Sequence, residues 1–311
     1  MTSLDKQPQP ELQRFVDARG RPALFLFAAE EPLWRSHVIS MYDLLAERKF
    51  DELDLVIHSG GGSAHAAYQV IELLRLHTAR LNACVPFWAK SAATLLCIGA
   101  DKIVLGEHAE LGPLDVQIYE EKKAGKGQFI SALNLFKTVE QLQTASIEAL
   151  ASAMRFVVDE YEMSYDESLS HAVAFVGVTT GPLVANLDPE KLGQYNRELS
   201  VAIEYGTRLL TRYGSRNRKE AGQLAEKLVY GYPSHEYIID YKELQDLGLQ
   251  VELFEQQTER PAAKQLISHT ERDFVTFVEP TPSTAGVEGV ETDFAEITRA
   301  GAGLNRETSD E

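Results

Sequence analysis

The hydrophobic pattern in the first third of the chain predicts strands that alternate with helices. Mostly apolar stretches occupy residues 22–27, 53–57, 81–87 and 102–105. Runs of this kind, without regular polar positions, are typical of parallel strands that are buried on both faces. Apolar residues at helical spacing separate the second and third runs, and an apolar helix follows the third. The pattern therefore predicts an α/β fold.

Two turns in this region carry the candidate chemistry. The second strand runs into Ser59-Gly-Gly-Gly-Ser63, where glycines allow positive φ angles and leave backbone N–H groups uncovered. The third strand is followed by Ser91, which opens the apolar helix at an end that favours negative charge. Because open α/β sheets hold active sites at the carboxyl ends of their parallel strands, this layout predicts a serine hydrolase.

Each turn also has a simpler interpretation. A glycine turn between a strand and a helix can bind phosphate, but no Gly-Lys-Ser or Gly-Lys-Thr follows it here. No acidic residue ends the next strand as a ribose ligand would. The glycines can also form a plain tight turn, and Ser91 can be a helix N-cap, since serine is a preferred residue there. These alternatives stand beside the oxyanion-hole and nucleophile interpretations.

The motifs around both turns resemble a known family. They are Ile57-His-Ser-Gly-Gly-Gly-Ser63, Val85-Pro-Phe-Trp-Ala-Lys-Ser91, Ala100-Asp-Lys-Ile-Val104 and Leu111-Gly-Pro-Leu-Asp115. From about residue 53 to 117, and more faintly to 253, the chain is similar to serine dehydrogenase proteinases, relatives of signal peptide peptidase A. The resemblance implies a Clp/crotonase fold of stacked ββα units, with a mostly parallel sheet and flanking helices. It also implies a homo-oligomer in which neighbouring subunits enclose the cleft.

The resemblance also implies roles for individual residues. Ser91 matches the family's nucleophile, and Gly61 and Ala92 match the residues whose backbone N–H groups form the oxyanion hole. Three positions depart from the family pattern: Gly60 replaces a usual proline, Lys90 a small or apolar residue, and Ala92 a common glycine. Since two of them flank the nucleophile, the resemblance supports the fold more strongly than the activity.

A serine nucleophile needs a general base, because almost none of its hydroxyl is ionised near neutral pH. Clp-type peptidases use a histidine in the segment that corresponds to residues 111–117, and this chain has none there. His108 is nearest, in a turn that we expect to face solvent. We therefore predict a serine–lysine dyad, as in signal peptide peptidase A, with Lys137 as the base. Lys137 borders the apolar stripe of a helix predicted over residues 129–161, where burial favours a neutral amine.

Other lysines and histidines are weaker candidates for the base. Lys90 adjoins the nucleophile, so its side chain should point away from the hydroxyl, and Lys137 can equally be an ordinary surface lysine. Three further lysines lie in a charged, glycine-containing loop: Lys122, Lys123 and Lys126. We expect the remaining conspicuous residues to support the cleft: Gly60, Gly62, His58 and His235.

Composition narrows the setting in which the protein works. The net charge of −17 opposes general binding to nucleic acid or to an anionic membrane surface. We find no apolar run of the roughly 20 residues that a membrane span requires and no signal peptide. The two cysteines, Cys84 and Cys97, fall in apolar elements and indicate a reducing compartment, most simply the cytoplasm. No group of residues has metal-ligand spacing, and we predict neither a metal nor a cofactor.

The sequence predicts three regions and one leading function. Residues 1–20 are polar and predict a flexible arm, residues 21–256 the peptidase domain, and residues 257–311 an acidic, disordered tail. We predict a serine peptidase that hydrolyses peptide or protein substrates through an acyl-enzyme. Two rivals are a crotonase-like acyl-CoA enzyme, which would use the oxyanion hole without a nucleophile, and a non-catalytic scaffold.

Overall fold

A computed structural model describes residues 9–115, 117–120 and 128–282. Its helices are α1 (Pro10–Arg19), α2 (Arg35–Leu45), α3 (Ala64–His77), α4 (Ala92–Ile98), α5 (Ala132–Tyr161), α6 (Tyr165–Ala185), α7 (Pro189–Arg212), α8 (Arg218–Tyr230), α9 (Tyr241–Asp246) and α10 (Glu259–Gln265), with a 3-10 turn at Leu266–His269. Its strands are β1 (Ala23–Ala28), β2 (Phe50–Ser59), β3 (Thr78–Val85), β4 (Trp88–Ala89), β5 (Lys102–Leu105), β6 (Glu110–Leu111), β7 (Gln117–Glu120), β8 (Gln128–Ser131), β9 (Val251–Leu253) and β10 (Phe274–Val278).

The main sheet is mostly parallel. Its strands follow the order β10-β1-β2-β3-β5-β9, and β10 runs antiparallel to β1. The short strands β4 and β6 continue the sheet from the carboxyl end of β2, where Ser59 pairs with Ala89. β7 and β8 form a separate antiparallel pair. The predicted α/β class, with a mostly parallel sheet and flanking helices, is confirmed.

Both faces of this sheet are covered, which explains the mostly apolar runs of its strands. Leu24 and Leu26 of β1 point into a core shared with α3, α4 and α7. Phe25 and Phe27, which alternate with them, point into a second core on the other face, shared with α1 and α10. This alternation follows from the two-residue period of a strand.

The predicted flexible arm over residues 1–20 is wrong for its second half. Residues 10–19 form α1, which buries Leu12, Phe15 and Val16 in the second core. Arg19 then fixes the helix to the sheet, because its Nε donates to the buried Asp54 carboxylate at 2.7 Å. The physical reason is that the two phenylalanines on the second face of β1 must be covered. α1 supplies part of that cover, although the segment is polar in overall composition.

The predicted tail boundary at residue 257 is also wrong. α10 buries Ala262 and Ala263 in the second core, and β10 extends the sheet as far as Val278. The chain forms one compact unit as far as Pro280. The remainder of the predicted acidic tail, from residue 283, lies outside the described residues.

The long helices α5 and α6 differ from expectation. α5 starts at Ala132, later than the predicted residue 129, because residues 128–131 pair with β7. α6, which packs against α5, has no counterpart among the predicted elements. By length and composition alone α6 could cross a membrane, so the expectation that no such apolar run exists is wrong.

Candidate active site

Ser91 lies in a strained turn between β4 and α4. Its φ of 52° and ψ of −124° are unusual for a residue with a side chain. Strain of this kind costs about 1–3 kcal/mol and occurs mostly at functional sites. A sharp strand-to-helix turn also presents the nucleophile of α/β-hydrolases. Ser91 forms no side-chain cap bond on α4, so the simpler N-cap interpretation does not describe it.

The glycine turn lies directly against Ser91. A methyl group built on Gly61 would be 2.5 Å from the Ser91 Cβ and 2.9 Å from its Oγ. The φ of Gly61 is +108°, so both the space and the backbone require glycine here. The two turns therefore meet side by side at the carboxyl end of the sheet, as the strand order predicts.

The two backbone donors proposed for the oxyanion hole differ in their bonding. The Ala92 N–H belongs to the first residue of α4, before the intrahelical hydrogen bonds begin. The Gly61 N–H donates to the Ser59 hydroxyl at 3.1 Å. An oxyanion can use the Gly61 donor only in competition with that hydroxyl.

Gly60 and Gly62 have different surroundings. Gly62 has a φ of +143°, and a Cβ there would come within 2.5 Å of the backbone N and O of Leu33. This close approach lets Leu33 N–H donate to the Gly61 carbonyl at 2.7 Å, which fixes the turn. A Cβ at Gly60 would meet no atom within 4 Å, so sterics do not require glycine at that position.

Asp115 connects Ser91 to a histidine. The Ser91 hydroxyl donates to the backbone carbonyl of Asp115. The Asp115 carboxylate, which is fully buried, lies 2.9 Å from Nδ1 of His235 through Oδ2. Its Oδ1 accepts the Leu133 N–H at 2.9 Å, in the first turn of α5, where the helix dipole favours negative charge. Ser91, Asp115 and His235 thus form one connected buried cluster.

Lys137 is not the buried base that the sequence analysis predicted. Its Nζ forms an ion pair with Glu140 at 3.0 Å, and its side chain is 31% exposed. The dyad requires a desolvated amine, whereas the Lys137 amine is partly solvated and ion-paired. Lys90 is buried, but its Nζ pairs with Glu110 at 2.6 Å. The Ser91 hydroxyl contacts neither lysine in the described part of the chain.

His58 lies beneath the glycine turn and not in the cleft. The side chain is fully buried, its Nε2 is 3.1 Å from the Thr270 carbonyl, and its ring contacts Trp88 at 4.0 Å. Burial lowers its pKa to about 4, although the bond to Thr270 opposes the shift. The ring therefore braces the end of β2, bonded to Thr270, and does not line the cleft beside Ser91.

An open cleft of about 390 Å³ adjoins this cluster. Gly60, Gly61, Lys90 and His235 line it. Among the described residues, no group of three or more His, Cys, Asp or Glu side chains could hold a metal ion. Burial raises the pKa of both thiols, Cys84 and Cys97, so neither is a nucleophile.

Comparisons with known proteins agree with this geometry. Residues 44–169 match the family of ClpP-like SDH-type serine proteinases. The match confirms the predicted resemblance and fits a Clp fold. It includes Ser91 and Asp115 and ends before His235. The family's name describes serine proteinases.

Two proteins of Methanocaldococcus jannaschii, both described as uncharacterized, are similar to most of this chain. One is 28% identical over 207 residues, which are 67% of this chain and 56% of the relative. The other is 24% identical over 199 residues, which are 64% of this chain and 51% of the relative. The chain therefore spans about half the length of the curated relatives that it matches.

Sequence reasoning overlooked Asp115 as a catalytic candidate and gave His235 a supporting role. Asp115 ends the motif Leu111-Gly-Pro-Leu-Asp115, which we used only to support the resemblance. The useful signal was the acidic residue itself, which comes just after a strand that lies next to the nucleophile. His235 is 120 positions away from Asp115, and no local pattern shows that they meet.

Proposed function

We propose that this protein is a serine peptidase with a Ser91–His235–Asp115 catalytic triad. The observation that carries the proposal is the buried Asp115, whose carbonyl accepts the Ser91 hydroxyl while its carboxylate holds His235. The carboxylate fixes the imidazole so that Nδ1 carries the proton and Nε2 the lone pair. This replaces Lys137 with His235 as the proposed base.

The proposed reaction begins when the Ser91 hydroxyl turns from the Asp115 carbonyl toward Nε2 of His235. His235 takes the proton as Oγ attacks the peptide carbonyl, and Asp115 stabilises the imidazolium that results. The Ala92 N–H, together with the Gly61 N–H released from Ser59, holds the oxyanion. His235 then protonates the leaving amine, and water hydrolyses the acyl-enzyme by the same steps in reverse order.

Two further observations favour acyl transfer over a plain structural turn. The strained backbone of Ser91 gives the fold no stability, yet the turn keeps it, with the Lys90 N–H bonded to the Ser59 carbonyl and the Thr94 N–H to the Ser91 carbonyl. The buried Asp115 carboxylate likewise costs desolvation energy, which its two hydrogen bonds offset. A plain turn between β4 and α4 needs neither the strained backbone nor the buried carboxylate.

Labelling with a serine-directed fluorophosphonate tests the triad. We expect Ser91→Ala to abolish labelling and His235→Gln to slow it by roughly 10³-fold or more, because the base is lost. Asp115→Asn should slow labelling by about 10²–10⁴-fold, because the amide would favour the wrong tautomer of His235. His108→Gln, at an exposed histidine, and Lys137→Ala should leave the rate within about twofold, since surface changes away from the site have small effects.

Other outcomes distinguish the alternatives. Labelling that survives His235→Gln but is lost in Lys137→Ala would restore the serine–lysine dyad. Absence of labelling in folded wild-type protein at every pH would contradict a hydrolase. Coenzyme A binding by calorimetry would then indicate the acyl-CoA enzyme, and its absence the non-catalytic scaffold.

A further inference from the structure

One carboxylate from a distant part of the chain holds the loop that follows β1. Oδ1 of Asp273 accepts the N–H of Ala29 at 2.6 Å and the N–H of Glu30 at 3.0 Å. Its Oδ2 accepts the N–H of Glu31 at 3.2 Å. Three successive backbone donors thus converge on one side chain, as they do in loops that bind anions.

Strand pairing explains why Asp273 reaches this loop. β10 runs antiparallel to β1, and the ladder ends where Phe27 pairs with Phe274. The residue before Phe274 therefore lies beside the carboxyl end of β1. Five residue pairs already join the two strands. The bonds of Asp273 add an attachment beyond that ladder, and this attachment goes to the loop.

The same loop forms part of the wall of the candidate active-site cleft. Residues 29–32 line the cleft together with Gly60 and Gly61. The next residue, Leu33, is fully buried, and its N–H donates to the Gly61 carbonyl at 2.7 Å. The Leu33 carbonyl accepts the Ser63 N–H at 2.9 Å. The loop therefore holds the glycine turn at two points.

The glycine turn depends on bonds of this kind from outside. Gly61 and Gly62 have φ angles of +108° and +143°, and glycine adopts many backbone conformations at little steric cost. The direction of the Gly61 N–H is therefore set by the hydrogen bonds of the turn, including the bond from Leu33. A group displaced by about 1 Å from its catalytic position can cost about 10²-fold in rate.

We propose that Asp273 is a positioning residue for the oxyanion hole. It fixes residues 29–31 and thereby, through Leu33, the Gly61 N–H. It acts through the loop and not on the substrate. The inference rests on the proposed function, in which the Gly61 N–H holds the oxyanion. Both Asp273 and the loop lie outside residues 44–169, which match the family.

Fluorophosphonate labelling of the full chain over a range of probe concentrations tests this role, because it separates the rate constant at saturation from probe binding. Asp273→Ala should lower the saturating rate constant by about tenfold or more and leave probe binding within about threefold. Asp273→Asn keeps an oxygen acceptor for part of the loop and should lose only about threefold. Partial unfolding would instead lower the fraction of protein that labels, and not the rate constant of the folded remainder.

Asp188→Ala is the matched control. Asp188 is also exposed, and its Oδ1 accepts the N–H groups of Glu190 and Lys191 at the start of α7, away from the residues that line the cleft. The variant thus loses the same kind of bond at another place. Its labelling rate constant and probe binding should stay within about twofold of the wild type.

Amide hydrogen exchange gives a second readout, which does not depend on activity. In Asp273→Ala the Leu33 amide should exchange about tenfold faster than in the wild type, because the loop before it is no longer held. In Asp188→Ala its exchange should be unchanged.

Three results would overturn the proposal. The first is exchange of the Leu33 amide that Asp273→Ala leaves unchanged. The second is an Asp273→Ala protein that labels at the wild-type rate constant while His235→Gln is slow, which would keep the proposed triad and exclude Asp273 alone. The third is folded wild-type protein that does not label, which would contradict the peptidase function and with it any part of Asp273 in the reaction.

Discussion

Helices α4 and α6 both carry many apolar side chains but have opposite environments. Every residue of α4 is buried, and α3 and α7 pack around it. α6 is three times as long, and Ser168 and Ala172 are the residues that it buries among those described. One apolar helix completes the core of the chain, and the other extends beyond it.

The difference shows how the chain distributes its hydrophobic free energy. Burying a large apolar side chain stabilises a fold by about 1.5–3 kcal/mol relative to leaving it exposed. α4 makes that contribution within the monomer and thereby fixes the position of Ser91 at its start. Most apolar side chains of α6 are exposed and make no such contribution within the monomer.

Introducing a charge into each helix should give the largest contrast. Leu96→Asp in α4 places a carboxylate in the core and should destabilise the monomer by about 4 kcal/mol or more. Leu183→Asp in α6 should change monomer stability by no more than about 0.5 kcal/mol, because that side chain is exposed. Urea unfolding at dilute concentration measures both, and equal destabilisation would show that α6 is part of the monomer core.

Acid should weaken the sheet end that holds the glycine turn. His58 binds a proton in the unfolded chain near pH 6.5 but in the folded protein only near pH 4. The unfolded state therefore binds more protons in that window, and stability falls as the pH drops, by at most about 3 kcal/mol. The free energy of unfolding of His58→Gln should fall less than that of the wild type between pH 7 and 4. Parallel pH curves would contradict the buried neutral ring.

Alanine substitutions at two glycines should have opposite effects. Gly61→Ala forces a side chain into a left-handed position against Ser91, and should cost about 1–3 kcal/mol of stability and most of the activity. Gly177→Ala adds a methyl group in open space within a helix, and should stabilise the dilute monomer by about 0.5–1 kcal/mol. Thermal unfolding of both variants checks the two signs.

The sequence predicted the parts of the site that depend on local geometry. Gly61 and Ser91 meet because each ends a strand, and β2 and β4 are neighbours. Asp115 and His235 meet through the packing of segments far apart in the chain, which hydrophobic periodicity does not encode. The choice of Lys137 as the general base depended on the assumption that α5 brings its side chain toward Ser91.

The sequence contained a signal, which we did not use, that segments near both chain ends pack on the sheet. Leu24 and Leu26 alternate with Phe25 and Phe27, so both faces of β1 are apolar and each requires a cover. The elements predicted between residues 21 and 256 supply the cover for one face. Similarly, the uncharged stretch Ser168–Leu187 is visible in the sequence, but its exposure is visible only in the structure.

The antiparallel pairing of β1 with β10 constrains the order in which the protein can fold during synthesis. β1 is made early, yet the strand that completes its outer edge ends at Val278. At 5–20 residues per second, the ribosome needs roughly 10–50 s to make the intervening chain. Throughout that time β1 presents an open edge, and Phe25 and Phe27 lack the cover of α10. The nascent chain is therefore most exposed to aggregation before its last strand emerges.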